Sequence, residues 1–141
     1  MIASRFHVDV ADTLEATKQR LIKQFYRKAS RHVDALEAKL EGVYDYLAMH
    51  ADANSNAFAT YGWPSGMFLP GLTLRRYRFP LPNLNGAAGQ GRLMYVLDAQ
   101  GGVATVIWLY NHAQYAKRPP DDEIRREINR LRAAAARDDA Q

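Results

Sequence analysis

The run Val103-Ala-Thr-Val-Ile-Trp-Leu-Tyr110 constrains this chain more than any other feature. A continuous apolar stretch of that kind reads as a central strand covered on both faces. Such a strand needs neighbours in a sheet and a layer above and below it. Leu72–Phe79 and Arg92–Leu97 are the nearest strand candidates. Asp98-Ala-Gln-Gly-Gly102 forms a hairpin turn between the last two, its glycines supplying positive φ. Pro80, Pro82, Asn83, Asn85, Gly86, Gly89 and Gly91 make a flexible link between the first two. Residues 5–10, RFHVDV, alternate apolar and polar and read as a further strand near the start.

Helices supply the covering layers. Asp12 or Thr13 can cap a helix by accepting hydrogen bonds from first-turn N–H groups. Beyond it, Leu21, Phe25, Ala29, Val33, Leu36, Leu40, Val43 and Leu47 recur at three-, four- and seven-residue spacings along one face. The pattern fits one long helix to about His50, or two helices bent near Ser30 or Gly42. A final helix follows Pro119-Pro120, capped by Asp121 or Asp122, with Ile124, Ile128 and Leu131 on its apolar face. Residues 133–141 read as a frayed tail. Between helices and sheet, residues 51–71 interleave turn formers with Phe58, Tyr61, Trp63, Met67 and Phe68. Loop aromatics of this kind pack back over the core edge or meet a partner.

These elements describe one α+β domain: an N-terminal strand and helical segment (1–50), an aromatic loop (51–71), an antiparallel sheet (72–118) and a C-terminal helix (119–136). The 141 residues, 48% hydrophobic, are enough for a real core. The chain has no cysteine, which excludes disulfide scaffolds, thiol catalysis and Cys-based zinc sites. No apolar run approaches the ~20 residues of a membrane span. The first twenty residues lack the apolar stretch of a secretory signal. The expectation is a soluble cytoplasmic protein with no membrane partner.

Charge is uneven. Residues 53–118 carry Arg75, Arg76, Arg78, Arg92, Lys117 and Arg118 against the single acid Asp98, and so hold the whole excess of a chain whose net charge is +4. A basic segment of this kind points to an anionic partner, nucleic acid first. Antiparallel pairing around Gln100–Gly101 sets Arg92 opposite Leu109 or Tyr110 and brings Arg76 to Phe79 beside it. One sheet end then gathers Arg76 or Arg78, Arg92, His112, Tyr115 and Lys117. Alternation places Arg76 and Arg78 on one face, with Arg75 and Tyr77 on the other.

Guanidiniums, an imidazole and a phenol suit RNA phosphodiester cleavage without metal. That reaction needs a base for the 2′-hydroxyl, an acid for the 5′-oxygen and cations around the phosphorane. Arginine holds two phosphate oxygens at once, and His112 is the imidazole within the basic segment. His7, His32 and His50 show no metal-ligand spacing, so neither a metal nor another cofactor is expected. Phosphate-loop, dinucleotide and Ser-nucleophile motifs are absent. The competing reading is structural: a His after a strand often serves only as a hydrogen-bonding residue.

Gly91-Arg-Leu-Met-Tyr-Val-Leu-Asp98 followed by Gly101-Gly-Val-Ala-Thr-Val-Ile-Trp-Leu-Tyr-Asn-His-Ala-Gln-Tyr115 resembles the C-terminal hairpin of RelE/ParE-superfamily toxins. The order strand, helices, three strands and C-terminal helix is similar to that fold. The resemblance covers about residues 72–118. It implies the toxin half of a bacterial type II toxin–antitoxin pair, with a cognate antitoxin protein as partner. The RelE-like branch cleaves mRNA without metal, often on the ribosome. The ParE-like branch poisons DNA gyrase without catalysis. By position, the resemblance makes Arg92 the phosphate-contacting strand arginine, His112 the basic residue after the last strand and Tyr115 the late tyrosine. Arg76 and Arg78 would be further basic residues. Trp63 and Phe68 are candidate contacts for the antitoxin. The leading expectation is a RelE-like endoribonuclease (mRNA interferase); the alternatives are a ParE-like inhibitor and a plain RNA-binding module.

Overall fold

The apolar run becomes β5 (Val103–Asn111) in a computed structural model that describes residues 4–27 and 29–139. It lies between β4 (Gln90–Asp98) and β1 (His7–Val10). The sheet has five strands in the order β1-β5-β4-β3-β2, where β3 is Thr73–Pro80 and β2 is Phe58–Tyr61. Two expectations need correction. The sheet is mixed, because β1 runs parallel to β5. It also includes a short strand, β2, inside the segment expected to be loop. Alternation of apolar and polar residues carries no strand direction. Here direction is set by the helical segment that separates β1 from the rest.

That segment is two helices. α1 (Asp12–Leu21) runs into a π-helical turn (Ile22–Tyr26), closed by the Arg27 N–H donating to the Ile22 carbonyl at 3.1 Å. Arg27 adopts a left-handed conformation, φ 42°, which stops the helix. α2 (Ser30–His50) then returns. The bend therefore falls near Ser30, and Gly42 lies inside a helix. Neither Asp12 nor Thr13 caps α1: Ala11 holds the cap position without a side-chain hydrogen bond. Asp12 and Glu15 instead place negative charge in the first turn, where the helix dipole favours it.

β5 is covered on both faces, as its composition requires. On one face Leu14 and Leu21 of α1 and Leu36, Leu40, Val43 and Leu47 of α2 pack against Leu93, Tyr95, Leu97, Val106 and Leu109. Each fully buried leucine contributes about 1.5–3 kcal/mol relative to exposure. On the other face α3 (Asp121–Asp139) supplies Ile124 and Ile128 against Leu74, Met94, Ile107, Trp108 and Tyr110. α3 extends through most of the expected tail; residues 140 and 141 lie outside the described residues. Its first-turn Asp121 acts as a tie, its carboxylate accepting from the Ser65 N–H and from Arg118. The register passes from Met94↔Trp108 to Tyr95↔Val106, so Ile107 is the extra residue of a β-bulge. The bulge lets Ile107 and Trp108 both serve the α3 side.

The aromatic loop divides in function. Trp63 and Met67 pack against the second core and Leu69 is buried in it, whereas Phe68 stands 76% exposed. Among the described residues no helix is long and apolar enough to cross a membrane.

Candidate phosphate-binding cleft at one end of the sheet

The hairpin register places Arg92 opposite Tyr110 on one side and Arg78 on the other. Side chains alternate along a strand, so these three share the face of Met94 and Leu74. Arg76, two residues back on β3, lies on the same face, and its guanidinium stands 5.9 Å from the Tyr61 ring centroid. Arg75 points the other way. It is buried, covers the Phe58 ring at 5.7 Å and donates to the Ala53 carbonyl, which ties the chain after α2 to the sheet. Arg75 is thus a structural cation.

A cleft of about 460 Å³ opens where β3 outruns β2, lined by Asn56, Arg78, Phe79, Pro80, Gln90 and Arg92, among others. Gly91 and Gly89 form part of its wall. A Cβ at Gly91 would come within 2.8 Å of the Phe79 carbonyl, so only glycine lets the strands approach this closely. Arg78 is exposed and donates to the Asn56 carbonyl at 2.6 Å. Arg92 is only 7% exposed, and its guanidinium donates to the Gln90 carbonyl at 3.3 Å. No carboxylate pairs with Arg76, Arg78 or Arg92 among the described residues. A cation so deeply placed is costly without an anionic partner. The arrangement leaves three guanidiniums on one face without a carboxylate among the described residues.

His112 leaves β5 at this end. Its backbone N–H donates to the same Gln90 carbonyl, at 3.1 Å, and its half-buried ring holds an Nδ1 with no hydrogen-bond partner. The turn it belongs to is rigid: Asn111 and Gln114 exchange backbone-to-side-chain hydrogen bonds, and Asn111 donates to Ala88.

A tyrosine pair lies beside Arg76. The Tyr61 and Tyr110 hydroxyls share a hydrogen bond at 2.7 Å, and the Lys117 carbonyl, 3.2 and 3.4 Å from them, accepts from whichever hydroxyl does not donate to the other. Burial drives the Tyr110 hydroxyl far above the ordinary phenol range, the Tyr61 hydrogen bond adds to this, and the charges of Arg92 and Arg76 pull the other way. Tyr110 therefore stays protonated and is no base. Tyr115 packs edge-on against Tyr110, ring centroids 5.8 Å apart, within the second core. Lys117 is exposed, and what it gives the cluster is its carbonyl.

The structure thus pairs Arg78 with Arg92 in the cleft and ties the His112 backbone to the Gln90 carbonyl at the same end of the sheet, with Arg76 beside the tyrosine pair. Tyr115 and the Lys117 carbonyl contact that pair. One participant is hidden in the sequence. Tyr61 sits among turn formers in the sequence, and only the short pairing of β2 with β3 brings it under Arg76. Arg118, whose guanidinium stands 5.3 Å from the Tyr61 ring, is neutralised by Asp121 at 2.7 Å. The chain matches no protein-family model, no curated protein and no solved structure.

Proposed function

We propose that this protein is an RNA-cleaving enzyme of the RelE kind, the toxin half of a toxin–antitoxin pair. The observation that carries the reading is buried Arg92, without a carboxylate partner among the described residues, opposite Arg78 and sharing the Gln90 carbonyl with the His112 N–H. In this reading Arg92 and Arg78 hold the non-bridging oxygens of one phosphate and stabilise the phosphorane as charge accumulates. The RNA's own 2′-oxygen attacks phosphorus and the bond to the 5′-oxygen breaks. His112 takes the proton from the 2′-hydroxyl, the task for which imidazole is suited near neutral pH, and solvent supplies the proton that the departing 5′-oxygen gains. Products are a 2′,3′-cyclic phosphate and a free 5′-hydroxyl. Tyr115 enters only by holding Tyr110.

The element order and the hairpin resemblance support the family; the cleft supports the chemistry. Induced expression with mapping of RNA 5′-ends tests both. Discrete new 5′-hydroxyl ends are expected, and they should vanish in His112→Ala and Arg92→Ala chains that still fold. DNA-damage signalling with intact mRNA would overturn the nuclease reading in favour of a gyrase target.

A second reading has its own support. With Tyr110 held protonated and Tyr115 committed to packing, His112 is the candidate proton-transfer group left at this end of the sheet. One proton-transfer group beside a row of arginines also fits an RNA-binding module without turnover. Salt-sensitive binding of RNA with no new ends would favour it.

A further inference from the structure

A second basic cluster lies at the same end of the sheet. Residues 16–33 contain no Asp or Glu, yet carry Lys18, Arg20, Lys23, Arg27, Lys28 and Arg31. Lys18 is spent on Glu15 and Glu37. Arg20, Lys23, Arg27 and Arg31 are exposed, and among the described residues none has a carboxylate partner. Their placement follows from the π-helical turn. It carries Gln24, which accepts from Gln114 at 2.6 Å, two residues from His112. It also carries Tyr26, whose hydroxyl donates to Pro82 at 2.8 Å, in the link that follows β3. These two bonds fix Lys23 and Arg27 at the end of the sheet where Arg78, Arg92 and His112 converge. Gln19, Ile22, Lys23 and Arg27 line a shallow depression of about 620 Å³ there.

Like charges gathered without counter-ions repel one another, and a polyanion relieves that repulsion along its whole length. We infer that the ligand is a single RNA strand several nucleotides long that crosses this end of the sheet. One phosphate sits in the Arg78–Arg92 cleft, and phosphates further along the strand lie on Lys23 and Arg27 of the π-helical turn. The inference rests on the cleft being a phosphate site, and it adds a second contact surface and a minimum ligand length.

The test is binding of a twelve-nucleotide single-stranded RNA, made with 2′-O-methyl groups to prevent cleavage, across a salt series. Wild type is compared with Lys23→Gln/Arg27→Gln, with Arg78→Gln, and with Arg132→Gln/Arg137→Gln on α3. Arg132 lies beside Asp9 and Thr105, toward the opposite end of the sheet, and so reports diffuse charge effects. Loss of two phosphate contacts should reduce the salt slope by about 1.4, since each contact on a single strand contributes roughly 0.7. The α3 pair should leave the slope as it is. A slope unchanged in Lys23→Gln/Arg27→Gln but reduced in Arg78→Gln overturns the second surface and spares the cleft. Equal reductions in the π-turn and α3 pairs overturn it as non-local. No binding by wild type overturns this inference and the phosphate site together.

Discussion

The Arg92 guanidinium and the His112 backbone N–H meet on one acceptor, the Gln90 carbonyl, at 3.3 and 3.1 Å. The charge that would grip a phosphate and the residue that would move a proton are therefore fixed to a common backbone atom. Arg92→Lys tests the grip. An ammonium keeps the charge but loses the planar fork that binds two oxygens. RNA cleavage is expected to fall by about 10²–10³-fold, the size of one lost transition-state donor. An Arg92→Lys chain cleaving at the wild-type rate would show that only the charge matters, and that the fork does not hold the phosphate.

The position of Arg92 in the sheet is legible in the sequence. Hairpin arithmetic from Gln100–Gly101 puts Arg92 opposite Leu109 or Tyr110, and the register is Arg92↔Tyr110. The bulge at Ile107 could not be read, because an extra residue on one strand leaves alternation almost intact over so short a run. Tyr61 was hidden for a related reason: a four-residue edge strand among turn formers carries too little periodicity to be seen. The basic π-helical turn was hidden by averaging, since acids elsewhere in residues 1–52 cancel its charge in any sum over that segment. A scan for acid-free windows would have found it.

Gly91→Ala should damage stability and cleft together. The added methyl meets the Phe79 carbonyl and Leu81 Cγ, both at 2.8 Å, and the carbonyl is backbone that cannot rotate away. Overpacking of this sort costs about 1–3 kcal/mol. Urea denaturation should show a lower midpoint with an unchanged slope, and RNA affinity should fall with it. Wild-type stability would mean that β3 and β4 can separate at no cost.

The Tyr61–Tyr110 hydroxyl pair invites a double-mutant cycle. Tyr110→Phe leaves the Tyr61 hydroxyl with the Lys117 carbonyl as acceptor, and Tyr61→Phe leaves Tyr110 likewise. Each single change should cost about 1 kcal/mol, the net worth of an ordinary hydrogen bond. The double change should cost less than the sum, because the shared bond is lost only once. Strict additivity would show that the two hydroxyls are not coupled.

Lys18 joins α1 to α2 through Glu37 and pairs with Glu15 on its own helix, each at 2.8 Å. The Lys18 hydrogen bond lowers the Glu15 carboxyl below its ordinary 4.5, against an opposing push from burial. The stabilisation is present above that ordinary value and is lost as pH falls through the lowered one. For Lys18 itself burial pulls the pKa down, but the two glutamates outweigh it and leave it above 10.5. Its stabilisation is intact below 10.5 and fades as pH rises through the raised value. Lys18→Met should therefore cost about 1 kcal/mol at pH 7, and the gap from wild type should narrow toward pH 3. A gap constant with pH would mean that Lys18 acts by packing alone.

β1 pairs with β5 only from Val103 to Val106, which leaves the rest of that edge of a buried strand without a neighbour. α1 takes over there. The Leu109 N–H donates 2.9 Å to the Thr17 hydroxyl, and that hydroxyl donates in turn to the Leu14 carbonyl at 2.9 Å. The side chain is buried, so water cannot replace it. Thr17→Val keeps the shape and removes the acceptor, leaving a buried N–H unsatisfied at a cost of about 1–3 kcal/mol. Thr17→Ser keeps the acceptor and loses one methyl, so it should lie between the two. Amide exchange at Leu109 separates this account from a simple loss of packing. The Val variant should lose protection there beyond its global destabilisation, whereas Ser should not. Because Leu109 lies three residues before His112, the same substitution should loosen the turn that presents the imidazole and lower RNA cleavage. Equal exchange at Leu109 in both variants would show that Thr17 does not hold the strand edge.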